Sequence, residues 1–285
     1  MALKQDSLLW DVTLEPVYLA SGEQVPGYQA AVRDDTNAVL AIHGSRYEEV
    51  TNRTIRDLAE VFAGEAGASV RGSWSVKGGA VVGIQLENGL FTLPGDPSEF
   101  RDFFVLGNSH DGSMLAKFHP TQQRIICVNT FYRAMYTSQS ASGYTFKHTS
   151  GITGRIAEVR AALKVAAFER EAFAEWAESL MHKEASEPRF LDSLVGEYVI
   201  GDELDAADRA INDARDVLAS VIARPTQNGT TGAWRLFNAG VEYLDHFAEP
   251  RRKVKGHEER KLLRTIGLVP GKERVASAVK ASLLS

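Results

Sequence analysis

Cysteine is nearly absent from this chain: Cys127 is the only one. A lone thiol rules out an internal disulfide and any cysteine-rich zinc site among these residues. Long apolar runs are absent as well. No stretch approaches the roughly 20 apolar residues that span a bilayer. No signal-peptide core follows the opening Met-Ala-Leu-Lys-Gln-Asp, so a cytoplasmic protein is expected. The glycine-rich phosphate loops are also lacking. There is no G-x-G-x-x-G and no G-x-x-x-x-G-K-[ST]. The nearest approach, Gly267-Leu-Val-Pro-Gly271-Lys272-Glu273, has the wrong spacing, a proline inside the loop and Glu where a magnesium-binding hydroxyl belongs. A P-loop ATPase is therefore excluded.

What remains is the composition of an ordinary globular protein. The 285 residues are 44% hydrophobic and 24% charged, enough to bury a core without a covalent or metal staple. The net charge of −5 is unevenly spread. Residues 1–116 hold 8 Lys and Arg against 16 Asp and Glu, and residues 117–170 hold 8 against 2. Residues 171–249 then hold 6 against 16, and residues 250–285 hold 10 against 3. Two basic blocks thus alternate with acidic ones. An acidic total does not exclude a polyanionic partner, although the blocks can equally neutralise one another within the fold.

Hydrophobic period separates the two halves. Gly27–Arg33 and Ala38–His43 are β-rich runs joined by Asp34-Asp-Thr-Asn37, a hairpin pattern. Thr51–Phe62 places Ile55, Leu58, Ala59 and Phe62 at helical spacing, with Gly64 and Gly67 as stop signals. Ser69–Val76 and Ala80–Leu86 flank Lys77-Gly-Gly79, a second hairpin. Strands are expected at Phe103–Leu106 and Met114–Phe118. Arg124–Asn129 reads as a strand or the start of a buried helix. Beyond it, Gly151–Glu184 is an amphipathic helix without proline, roughly 50 Å long. Asp202–Ala223 and Ala233–Phe247 are shorter helical patterns, and a weaker one follows Pro250. The expected fold is α+β: an antiparallel β-sheet built from hairpins with a helix inserted, then a long helix and a helical C-terminal half. The expected divisions are a β-rich core (1–150), a helical region packing on the sheet (151–249) and a basic tail (250–285).

Two constellations carry chemistry. Gly107-Asn-Ser-His-Asp-Gly-Ser113 gathers polar groups between apolar runs. A hydrolase would use His110 as base, Asp111 as its orienter, and Cys127 or Ser109 as nucleophile. The alternative, which we favour, is a tight turn in which Asn108 and Asp111 bond backbone amides and Gly112 takes positive φ. His110, His119, His148 and Asp111 lack metal-ligand spacing. The second constellation is the basic block, where Lys117, Arg124, Arg133, Lys147, Arg155 and Arg160 alternate with Phe118, Phe131, Tyr132, Tyr136, Tyr144 and Phe146. Cations for phosphates and rings for stacking are what a single-strand groove requires. The same pattern also describes aromatics in a core beneath a solvated basic helix face.

Five ordered motifs add a resemblance. Asp11–Tyr18, Asn108–Ser113, Arg124–Thr130, Phe146–Thr149 and Asn238–His246 resemble the phage/plasmid-like family known as domain of unknown function 932, over roughly Leu8 to His246. That resemblance implies a protein of a phage, plasmid or other mobile element. More distantly, the order of hairpin, helix, strands and long helix is similar to single-strand annealing proteins of the Redβ, RecT and Erf group. This implies ATP-independent annealing of single-stranded DNA in recombination, by a ring- or filament-forming homo-oligomer that needs no cofactor and no membrane. In that reading Lys117, Arg124, Arg133, Lys147, Arg155 and Arg160 contact phosphates, Tyr132 and Tyr144 stack on bases, and the basic tail assists. No catalytic or metal-binding residue is implied. The competing expectations are a self-assembling interaction protein and, behind it, the Cys/His hydrolase.

Overall fold

The computed structural model describes residues 8–124, 129–130, 144–145, 152–199, 204–247 and 273–284. The fold is α+β, with antiparallel sheets in the first half and helices in the second. Strands β1 (Val12–Tyr18), β2 (Gln24–Arg33) and β3 (Val39–Gly44) form one sheet in that order. A second sheet runs β4 (Ser69–Val76), β5 (Val81–Leu93), β6 (Asp96–Ser109), β7 (Lys117–Arg124), β8 (Asn129–Thr130). The short β9 (Tyr144–Thr145) also pairs with β7.

Helix α1 (Asn52–Ala66) stands between the sheets in sequence. Its start is fixed by Thr51, whose hydroxyl accepts the Thr54 amide at 3.1 Å. Its end is fixed by Gly67 in the left-handed region, φ 65°. The long helix α2 spans Ile152–Met181. After it come α3 (Glu187–Val199), α4 (Leu204–Ile222), α5 (Gly232–Glu242), a π-helical turn at Tyr243–Phe247, and α6 (Glu273–Ser282). Among the described residues, no helix is long and apolar enough to cross a membrane.

The chain divides into two compact units, and the division cuts through elements rather than between them. Unit 1 comprises residues 1–88, 103–120 and 143–166, and unit 2 comprises 89–102, 121–142 and 167–285. Strands β5, β6 and β7 and helix α2 therefore each contribute one stretch to each unit. Boundaries drawn at 150 and 249 follow the change from strand to helix, whereas compactness follows these split elements.

Unit 1 is built on the apolar stripe of α1. Ile55, Leu58, Ala59 and Phe62 bury against Val82, Ile84 and Leu86 of β5, Phe104 and Leu106 of β6, Phe118 of β7, and Val159 and Ala162 of α2. The Phe62 and Phe118 rings stack in parallel, 4.6 Å apart, with Phe104 tilted 5.0 Å from Phe118. Gly83 lies directly beneath Trp74; a Cβ there would sit 2.3 Å from the indole, so the strand must be bare at that point.

Unit 2 is a helical core. Trp234 and Phe237 of α5 are fully buried with Phe173 of α2, Phe190 of α3 and Leu218 of α4. Gly240 allows the close approach, since a Cβ would meet Val275 at 2.6 Å and Phe190 at 2.9 Å. Val275, Ala278 and Val279 of α6 are buried here as well. The end of the expected basic tail thus takes part in this core; residues 250–272 lie outside the described residues.

Phe118→Ala removes the ring shared by both aromatic contacts. It should cost about 3–5 kcal/mol of unfolding free energy, read from the urea midpoint at unchanged slope.

Candidate functional site

The long helix α2 presents two faces in unit 1. Val159, Ala162 and Ala166 are turned inward and buried. Residues 156, 157, 160, 161 and 164 repeat at the spacing of one outward face. Ile156, Ala157, Arg160, Ala161 and Lys164 line an open groove of about 530 Å³. Lys164 is exposed, and the Arg160 side chain is 65% exposed. Arg160 Nε donates to Glu65 Oε2 of α1 at 2.6 Å and holds that carboxyl below its usual range. An ion pair this exposed is worth little to the fold, so its guanidinium can exchange one oxyanion for another.

Two more of the expected contacts lie in the same unit. Lys117 is half-buried on β7, opposite Thr145. Tyr144, opposite Phe118 on β9, is half-buried and packs against the unit 1 core. Burial and the charge of Glu158 push its phenol upward. Arg155 lies on α2, with its side chain outside the described residues, as are Tyr132, Arg133 and Lys147 altogether. Lys164 was not among the expected contacts, although its spacing of four from Arg160 could have singled it out.

Arg124 must be removed from the proposed interface. It is fully buried at the end of β7 in unit 2. Its Nη2 bonds Asp96 Oδ1 at 3.3 Å, its Nε bonds Ser98 Oγ at 3.1 Å, and its Nη1 bonds the Thr226 carbonyl at 2.8 Å. Asp96 also accepts from Trp234 Nε1 at 2.8 Å. A guanidinium with this many internal partners and no exposed surface cannot meet a phosphate. Its neighbours Gln227, Thr226 and Arg224 in turn converge on the buried carboxylate of Glu242.

The polar loop is a structured turn. Gly112 has φ 70°. Asp111 accepts the Ser113 amide at 2.9 Å and pairs with Lys77. Asn108 donates to the Val50 carbonyl rather than bonding an amide. His110 is fully buried and does not meet Asp111. Its Nδ1 faces Glu49 Oε1 and its Nε2 faces Asn52 Oδ1 at 3.0 Å. The Asn52 amide is oriented by donation from its Nδ2 to the Trp10 carbonyl. Both ring nitrogens are therefore held by fixed partners, Glu49 and Asn52. Neither is available as a general base, and the hydrolase built on His110 and Asp111 loses its geometry. Of its two candidate nucleophiles, Ser109 is buried with its hydroxyl donating to the Met114 carbonyl at 2.8 Å, and Cys127 lies outside the described residues. Beside this cluster Tyr47 stacks on His43 at 3.7 Å, and burial together with the Glu49 charge raises its phenol. Among the described residues, no three His, Cys, Asp or Glu side chains come together as a metal site.

The chain belongs to the family described as "Domain of unknown function (DUF932)", whose model matches residues 39–266. No curated protein and no solved structure matches it.

Arg124→Ala would strand the Asp96 carboxylate in the core. The expected loss is about 3–5 kcal/mol, seen as a lower thermal midpoint, whereas Arg160→Ala should leave the midpoint nearly unchanged. Tyr47 gives a pH test. Its phenol keeps its proton in the folded chain while the unfolded chain ionises near pH 10, so the native state binds more protons there. Stability should fall as pH rises above about 10, and Tyr47→Phe should make that fall shallower in chemical denaturation.

Proposed function

We propose that this chain is an ATP-independent single-stranded DNA-binding and annealing protein of a phage or other mobile element. It acts as a homo-oligomer in homologous recombination in the cytoplasm. The observation that carries the reading is the open groove on α2, where Arg160 and Lys164 flank the small apolar surface of Ile156, Ala157 and Ala161. Annealing two polyanions first requires their repulsion to be screened, and then requires bases to be held apart from their own strand. Exposed cations meet the first need. An apolar floor one or two residues wide meets the second, since sugars and base faces settle on it without sequence preference.

Lys117 and Tyr144 extend the reading to β7 and β9 of the same unit, and Arg155 and Lys147 lie in that unit's stretch of chain; Arg133 and Tyr132 stay in the reading from the sequence alone. Arg124 has no part in it. The resemblance of the motifs to mobile-element proteins, and of the element order to annealing proteins, supports the assignment. So does the lack of any nucleotide loop in the sequence.

The test is fluorescence anisotropy with a labelled oligo-dT at moderate salt. The wild-type chain should bind, with affinity falling as salt rises because phosphate binding releases counterions. Arg160→Glu combined with Lys164→Glu should weaken binding at least about tenfold and flatten the salt slope, with circular dichroism unchanged. Absence of binding by the wild type, or an unaffected double variant, would overturn the assignment.

A further inference from the structure

The three-stranded sheet of unit 1 has two outer edges, and they are not alike. On β1 the outer edge carries Pro16, paired with Gln29, and the register slips between Pro16 and Tyr18. Proline and irregularity are what keep a strand edge from accepting another strand. On β3, residues 39–44 read Val-Leu-Ala-Ile-His-Gly, with no proline and no Asp, Glu, Lys or Arg. Among the described residues no strand lies beyond it.

Register shows what this edge offers. The Ser45 amide bonds the Gly27 carbonyl, and the Arg33 amide bonds the Ala38 carbonyl. Antiparallel pairs alternate between bonded and non-bonded. Gln29 with His43 and Ala31 with Ala41 are then the bonded pairs, while Ala30 with Ile42 is not. The N–H and C=O of Ile42 consequently point away from β2, toward the open edge. The register also places Tyr28, Ala30, Val32, Val39 and Ile42 on one face, opposite to the core-facing Ala31. Tyr28, Val39 and Ile42 are each more than half exposed, at 55%, 61% and 60%. An apolar face and an unguarded edge therefore meet at Ile42.

We propose that this edge is where a second copy of the chain docks, β3 against β3 in antiparallel register around a two-fold axis through Ile42. Ile42 then exchanges both backbone bonds with its own counterpart, and the two Ile42 side chains meet on the apolar face with Tyr28 of each copy beside them. The same register sets Ala38 opposite Arg46 of the other copy. Arg46 is exposed just past the end of β3. Just before its start lie Asp34 and the internally paired Arg33 and Asp35, 2.7 Å apart, so a net negative turn approaches Arg46 at both ends. The two-fold pairing consumes the β3 edge of both copies. It rests on the proposed homo-oligomer and names one contact of it, and it requires no nucleic acid.

The experiment uses the full chain without DNA. Sedimentation velocity at micromolar concentration should give a mass at least twice that of one chain, and Ile42→Lys should halve it with unchanged circular dichroism. In a Cys127→Ala background, Ile42→Cys should form a disulfide-linked dimer with oxidised glutathione, whereas Thr13→Cys, on the same face at the guarded edge, should not. A monomeric wild type, an Ile42→Lys variant of unchanged mass, or equal linking by both cysteines would overturn the proposal. Because none of these readings involves DNA, failure here is distinguishable from failure of the oligo-dT assay.

Discussion

A buried charge pair organises the helical unit. Arg124 and Asp96 have both left water, and neither is tolerable there without the other. Their mutual satisfaction fixes where β6 begins, where β7 ends, and how the 225–227 turn presents its carbonyl. Trp234 then reports to the same carboxylate, which ties the largest buried ring of α5 to the polar centre. Such a pair adds little net stability compared with apolar residues of equal volume. Its value lies in specificity, since few alternative packings satisfy five donors at once.

Helix α2 distributes its residues differently. In unit 1 its inward stripe packs on the ring stack of Phe62 and Phe118, and its outward stripe bears Arg160 and Lys164 over small side chains. One helix thus serves as a wall of the core and as the floor of the groove. The pairing of Arg160 with Glu65 connects that floor to α1 only loosely. A weak, exposed pair is compatible with a site that trades its internal carboxylate for an external phosphate, and a strong buried one, like that of Arg124, is not.

Much of the fold was legible because it is local. The Asp34–Asn37 hairpin, the Thr51 cap and the 3.6-residue stripe of α1 each involve residues within a few positions of one another. Helix α3 was missed although Ser186-Glu-Pro188 opens it, because Phe190 and Leu194 supply too short a stripe to establish a period. Strand β1 was missed because Pro16 argues against a strand unless the strand lies at an edge. For the candidate site, composition singled out the cations of residues 117–170 but could not sort the buried one from the exposed ones. Arg124 and Arg160 look alike in sequence. What separates them is Asp96, 28 residues away from Arg124 across a sheet, and Glu65, 95 residues from Arg160. Long-range partners of this kind leave no periodic trace. The turn at Asn108–Ser113 was legible from its Gly and Asp, whereas the approach of Glu49 and Asn52 to His110 was not.

The interleaved division of the chain has a temporal side. Every segment of unit 1 has been synthesised once residue 166 is added, but the core of unit 2 still lacks Val275 and Val279 of α6. During translation the earlier unit can therefore collapse while the later one waits through more than a hundred further residues, its stretch 89–102 already made and its apolar side chains Leu93 and Phe100 still without their eventual neighbours. A nascent chain stalled in that window would be the species most in need of a chaperone.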